Sequence, residues 1–161
     1  MAPHSGSAGH RPRPRRRGTF LISAVGYETM ARFRETLAPF GIHPRQFATM
    51  RALREDGGQS QRALSEGLHI PPSRLVALLD DLEAQGLVER RHHPTDRRAR
   101  RVFLTRRGES LLDELFVATQ AHADRALAGL TAAQRRQLDS LLTQVSENLA
   151  LDPEVHPGMG S

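Results

Sequence analysis

The chain has 161 residues and a formal net charge of +5, with no cysteine and no tryptophan. That length suits one domain with a proper hydrophobic core. The missing cysteines exclude disulfides, Cys-based zinc sites and thiol redox sensing. No apolar run approaches membrane-spanning length and the N-terminus lacks the apolar segment of a signal peptide, so a soluble cytoplasmic protein is expected.

All 23 basic residues are arginine. Five of them lie in residues 1–17, so residues 18–161 carry 18 Arg against 18 acids and are neutral as a whole. Within that neutral body the charge is segregated: residues 88–107 hold eight Arg against Glu89 and Asp96, a local +6. A concentrated basic patch on a neutral body is the electrostatic footprint of a phosphate-binding surface.

Residues 1–17, "MAPHSGSAGHRPRPRRR", are rich in Pro, Gly, Ser and Arg without apolar periodicity, and predict a disordered basic tail. A domain over 18–151 follows, and 152–161 read as a flexible tail. From Thr19 the pattern is helical, with Met30, Phe33, Leu37 and Phe40 at three- and four-residue spacing and Gly41 as the stop. Pro44 suits the first position of a second helix that turns Phe47, Met50 and Leu53 inward. Ser60 caps a short third helix carrying Leu64 and Leu68. After "HIPPS" a fourth helix begins at Pro72 or Ser73, with Leu75, Leu78, Leu79 and Leu82 as its buried stripe and Gly86 at its C′ position. Two short helices joined by a tight turn, the second amphipathic, form a helix-turn-helix.

Beyond Gly86 the period changes. "LVERR" and "ARRVFLT", separated by the turn-forming "HHPTDR", predict a β-hairpin over 87–92 and 99–104. Thr105 then caps a long helix with Leu111, Leu112, Leu115 and Phe116. A last helix from about Thr131 presents Leu138, Leu141, Leu142, Val145 and Leu149. The fold class is mainly α with a small β-hairpin wing.

"QRALSEGLHIPPSRLVALLDDLEAQGLVERR" followed by "PTDRRARRVFLTRRGESLL" resembles the winged helix-turn-helix of the multiple-antibiotic-resistance regulator (MarR) family. The resemblance spans roughly residues 20–150, with flanking helices in the expected order. It assigns 43–107 to the winged helix-turn-helix, and 18–41 with 108–151 to dimerisation helices. It implies a homodimeric bacterial transcription factor, a repressor, on a pseudo-palindromic operator in the nucleoid. The fourth helix would enter the major groove and the wing the adjacent minor groove. It further implies relief by a small phenolic or antibiotic-like effector bound between the dimer helices and the DNA-binding lobe.

The residues fit these roles chemically. A two-stranded ribbon with a charged tip can enter a minor groove, where narrow A·T segments concentrate negative potential. Arginine suits that groove because its planar guanidinium desolvates easily and forks to two acceptors. In family wings an Asp two residues before an Arg holds that Arg, and Asp96 and Arg98 match this spacing. Arg97 and Arg100 would contact flanking phosphates or sugars, with Arg91 on the same hairpin. On the fourth helix the leucine stripe leaves Ser73, Arg74, Val76, Ala77, Asp80 and Asp81 facing outward. Arg74 is the residue for a base edge, such a pair being worth about 1–3 kcal/mol of discrimination. Ser73 suits a phosphate, and Gln61 and Arg62 are further phosphate contacts.

This chain departs from the family where Ala77 and Asp81 stand at positions that often carry basic or polar residues. Asp80 and Asp81 would repel phosphates; they could instead accept from cytosine N4 or pair with neighbouring arginines, and pairing is favoured because an unpaired carboxylate facing DNA is costly. His69 sits where the turn commonly has Gly, and a residue tolerant of positive φ is expected there. Dimerisation rests on Phe20 and Leu21 of the first helix with Leu138, Leu141, Leu142, Val145 and Leu149 of the last. Tyr27, His43 and Arg45 could line an effector pocket, in competition with ordinary surface and packing roles.

Other function classes fare worse. Adjacent His92 and His93 point to opposite faces of a strand and cannot readily chelate one ion, while His43, His69 and His122 are scattered, so a metal-responsive regulator is the lesser alternative. A non-specific architectural DNA binder is another. The chain offers no Gly-rich phosphate loop or G-x-S-x-G elbow, and neither an enzyme nor a cofactor is expected. Arg98→Ala is expected to weaken DNA binding and to lower the salt-dependence slope by roughly 1 for each phosphate that is no longer neutralised, measured by titration at several salt concentrations. Unchanged affinity with an unchanged slope would remove the wing from the mechanism.

Overall fold

The computed structural model describes residues 17–56, 58–92 and 100–151. Helix α1 spans Arg17–Leu37 and ends in a short 3-10 turn, Ala38–Phe40; α2 is Pro44–Glu55, α3 Gln61–Gly67 and α4 Pro72–Ala84. An antiparallel hairpin follows, β1 Val88–His92 and β2 Arg100–Leu104, then α5 Arg106–Ala126 and α6 Ala132–Asn148. The first helix thus begins at Arg17 rather than Thr19, a shift of the size by which helix ends fray.

Local chemistry accounts for most boundaries. Gly41 leaves the 3-10 turn in the left-handed region at φ 67°. Ser60 Oγ accepts the Ala63 N–H at 3.1 Å, and Thr105 Oγ1 accepts the Gly108 N–H at 3.0 Å. Thr131 and Gln134 form a reciprocal capping box at the start of α6. Gly86, at φ 68°, follows α4 as expected of a C′ glycine.

The core lies among α2, α3, α4, the hairpin base and the first half of α5. Phe47, Met50 and Leu53 of α2, Leu75, Leu79 and Leu82 of α4, and Leu112 and Leu115 of α5 are buried in it, and Leu37 brings the end of α1 to the same cluster. Edge-to-face rings link three helices: Phe33 of α1 lies 5.8 Å from Phe47 of α2, which lies 5.9 Å from Phe116 of α5.

The hairpin is held at its base by contacts that no periodicity signals. Gln59 bridges to Val102 through two backbone bonds, of 3.1 Å and 2.8 Å, giving β2 a one-residue third strand. Beside it Gly58, at φ 104°, lies under the Phe103 ring so closely that a Cβ would stand 2.2 Å from a ring carbon. At the other end, Thr105 Oγ1 donates to the Gly86 carbonyl at 2.7 Å and Thr105 N–H donates to Leu87 O at 3.0 Å.

Both terminal helices keep apolar side chains in the open. No residue of α6 is buried, and Leu141 and Leu149 are 52% and 61% exposed. Leu142 is exposed as well, Leu138 and Val145 are half-buried, and Phe20 and Leu21 on α1 are exposed. The corner between α5 and α6 is fixed by Arg135, which donates to Leu127 O at 3.2 Å and pairs with Asp124 at 3.4 Å. Among the described residues no helix is long and apolar enough to cross a membrane.

His43 proves to be the N-cap of α2. Its ring Nδ1 accepts the Arg45 N–H at 3.3 Å, while the His43 N–H donates to Gln46 Oε1 at 2.8 Å. Partial burial, and then the charges of Arg45 and Arg34, hold the ring's pKa below the ordinary histidine value of 6.5. The unfolded chain therefore binds this proton more tightly than the folded one. The cap's contribution is complete above about pH 6.5 and is lost as pH falls through that value towards the lowered folded one. Thermal unfolding of the wild type is expected to show a drop in Tm between about pH 7 and pH 5. His43→Asn, which keeps a capping acceptor without a titrating ring, should flatten that drop. An equal pH dependence in both proteins would exclude the cap as its source.

Candidate nucleic-acid interface

The turn between α3 and α4 is built on a strained residue and a buried hydroxyl. His69 adopts φ 51°, as its place in the sequence led us to expect. Ser65, buried on α3, donates its hydroxyl to Ile70 O at 2.7 Å, and the Ile70 N–H returns to Ser65 O at 3.1 Å. Leu68 and Ile70 on either side of His69 are buried, which fixes the entry to α4.

Helix α4 puts Leu75, Leu79 and Leu82 into the core and half-buries Leu78. Its opposite side exposes Ser73, Arg74, Val76, Ala77, Asp80 and Asp81. Ser73, Arg74 and Ala77 thus share the open N-terminal half of one helix. At the start of α3, Gln61 is half-buried and Arg62 exposed; Arg62 pairs with Glu66 one turn on, at 2.8 Å, and that hydrogen bond raises its pKa.

Asp80 does not stand alone. Arg90 of β1 donates Nη2 to Asp80 at 2.6 Å, while its Nη1 pairs with Glu83. The Arg90 backbone N–H also reaches Glu83 Oε1, at 3.2 Å. Only 15% of the Arg90 side chain is exposed. Burial alone would lower its pKa, but the hydrogen bonds to Asp80 and Glu83 outweigh that and raise it. The guanidinium joins the wing strand to α4 and neutralises two carboxylates on the exposed side of that helix. Pairing of Asp80 with an arginine was foreseeable; that Arg90 and Glu83 complete the clamp was not, because ten residues and a reversal of direction separate Asp80 from Arg90.

On the hairpin, Val88 and Val102 are buried and the ladder pairs Arg91 with Arg101 and His92 with Arg100. Arg91 is exposed, pairs with Glu89, and lies with its guanidinium carbon 5.5 Å from the Phe103 ring centroid. Arg100 is placed at the start of β2. Asp96, Arg97 and Arg98 lie outside the described residues. The histidines have separate employments: His43 caps a helix, His69 makes the turn, and His122 packs 5.9 Å from Phe33. Among the described residues no three His, Cys, Asp or Glu side chains group as metal ligands.

An open groove of about 920 Å³ runs between α1 and α5, with Ala24, Val25, Glu28, Arg32, His122 and Arg125 among its walls. Neither Tyr27, nor His43, nor Arg45 lines it. Tyr27 is exposed on α1, and Arg45 is half-buried in the first turn of α2.

Helices α2 to α4 with an arginine-rich hairpin docked on them define a winged helix-turn-helix protein. A sequence model of the MarR family matches residues 40–99, from the end of α1 to the wing. Solved structures extend the likeness to the flanking helices. A mutant MarR from Escherichia coli complexed with operator DNA is 27% identical, with 79% of this chain and 91% of that one covered and a TM-score of 0.68. CouR from Rhodococcus jostii bound to p-coumaroyl-CoA is 28% identical over 81% of this chain and 92% of that one, at a TM-score of 0.68. BpsR from Bordetella bronchiseptica, whose DNA binding is regulated by 6-hydroxynicotinic acid, is 25% identical over 84% and 98%, at a TM-score of 0.69. Residues 40–99 thus match the MarR family, and the fold as a whole is similar to those of DNA-binding transcriptional regulators of the MarR family, which is not a family of enzymes.

Removing the Arg90 clamp should be measurable. Arg90→Ala is expected to lower stability by about 1–2 kcal/mol in urea unfolding, the discount from a fully buried pair reflecting the exposed Asp80. Arg90→Lys should recover less than half of the loss, since an ammonium cannot fork to two carboxylates. Equal stability of all three proteins would show that the clamp contributes nothing.

Proposed function

We propose that this protein is a homodimeric repressor that binds a pseudo-palindromic operator and is released from it by a small molecule. The carrying observation is the uncovered apolar surface of the two terminal helices, on a chain that also presents the Ser73–Ala77 segment outward. A helix such as α6, with no buried side chain, gains little from its own chain, and its leucines favour a second copy as cover. The proposed dimer seats Phe20 and Leu21 of α1 against Leu138, Leu141, Leu142, Val145 and Leu149 of α6 across a two-fold axis.

In this reading α4 enters the major groove, with Arg74 and Ala77 at base edges and Ser73, Gln61 and Arg62 at phosphates. The wing follows into the minor groove with Arg98 held by Asp96, and Arg91, Arg97 and Arg100 beside it. The E. coli relative complexed with operator DNA supports the first half of the proposal. The relatives holding p-coumaroyl-CoA and responding to 6-hydroxynicotinic acid support an aromatic acid or its thioester as effector. Tyr27, His43 and Arg45 are the proposed contacts. A ligand that takes the His43 ring as its partner displaces the cap of α2, so ligand binding would loosen that helix start.

Sedimentation and selection of bound duplexes from a random pool test the proposal together. The expected results are a particle of twice the chain mass and recovered sequences with two half-sites about one helical turn apart. Leu141→Glu with Leu142→Glu should yield a monomer that loses the selected sequence. A monomeric wild type, or recovery of no preferred sequence, would refute the proposal; the latter would leave a general DNA binder.

A further inference from the structure

The outward side of α4 is chemically unusual for a surface that approaches DNA. At 100° per residue, Ser73, Val76, Ala77 and Asp80 fall within one arc opposite the buried leucines. Val76 is 41% exposed, and no other large apolar residue of α4 is exposed. Ala77, beside it, is exposed too, and Ser73 adds only a hydroxyl. The single carboxylate in the arc, Asp80, is bound to Arg90. This leaves a small, low-profile, largely apolar strip one turn long.

Such a strip offers little to hydrogen-bonding edges of guanine, cytosine or adenine. The group in the major groove that it complements is the C5-methyl of thymine, the one apolar feature a base pair displays there. Short side chains also allow the helix backbone close approach, which a methyl contact requires. Asp81, exposed on the flank shared with Arg74, opposes approach of the following turn to phosphate, so the Ser73–Ala77 half is the part that enters deepest.

We infer that Val76, with Ala77 beside it, is a specificity-determining residue that reads thymine methyl groups in each half-site. The inference rests on the proposed operator binding. It assigns a role to a residue that carries no charge or hydrogen-bonding group, and it makes sequence reading by α4 apolar on one side and Arg74-dependent on the other.

Uracil substitution tests it. Duplexes selected from a random pool by the wild-type protein are remade with deoxyuridine replacing each thymine in turn, which deletes the methyl and keeps base pairing. Binding is measured at fixed salt with wild type and Val76→Ser, an exposed substitution whose fold is checked by thermal unfolding. The wild type should lose about fourfold in affinity at one or two thymines per half-site, the transfer value of one buried methyl. Val76→Ser should bind thymine and uracil forms alike, with an unchanged salt slope. Undiminished binding of every uracil form, or full methyl sensitivity in Val76→Ser, overturns the inference and leaves operator binding standing. If selection recovers no preferred sequence, sequence-specific binding falls and the inference with it.

Discussion

Four residues where the wing meets the helices hold the rest in place. Gly86 turns the chain out of α4 in the left-handed region, and its carbonyl accepts the Thr105 hydroxyl. The same Thr105 oxygen accepts the Gly108 N–H, while Leu87 O takes the Thr105 N–H. Gly108 lies so close that a Cβ there would stand 2.0 Å from Leu87 O. One hydroxyl therefore ends the hairpin, starts α5 and anchors the exit of α4. The element proposed to read DNA and a helix packed against α1 share a single joint, held by the Thr105 hydroxyl, by one backbone hydrogen bond and by the close approach of Gly108 to Leu87.

Around that joint, charge and apolar surface are divided in a consistent way. The interior of the lobe is leucine-rich, and the ion pairs lie at its edges. Arg54 pairs with Asp113 at 2.6 Å and lies over Phe116, tying α2 to α5. Arg90 does the same for α4 and β1. In each case the guanidinium links two elements, a use to which arginine is better fitted than lysine. What is left uncovered is apolar on the terminal helices and small on α4, two surfaces with different needs.

Much of this was legible from local chemistry. Ser60, Thr105 and Thr131 announce helix starts because their side chains satisfy amides three residues on, and the leucine stripe of α4 follows from a 3.6-residue period. The left-handed His69 could be expected because the turn there demands it. The unreadable parts are pairings between distant segments. Nothing near Gln59 signals its bridge to Val102, and Gly58 resembles any loop glycine until Phe103 is folded over it. His43, with pocket chemistry in view, gave no sign of capping α2, because histidine is an uncommon cap whose role depends on ring orientation. For the candidate site, the exposed side of α4 was readable by elimination from its buried one, whereas the Arg90 clamp needed the hairpin's register.

The length of α5 has a mechanical consequence. Its 21 residues form a rod roughly 31 Å long, running from the Thr105–Gly108 joint to the corner with α6. A tilt of about 5° at one end of such a rod carries the other end through about 3 Å. That is close to the rise of one base pair along DNA, about 3.4 Å. In the proposed dimer, an angular change of that size would put the two α4 helices out of phase with the double helix.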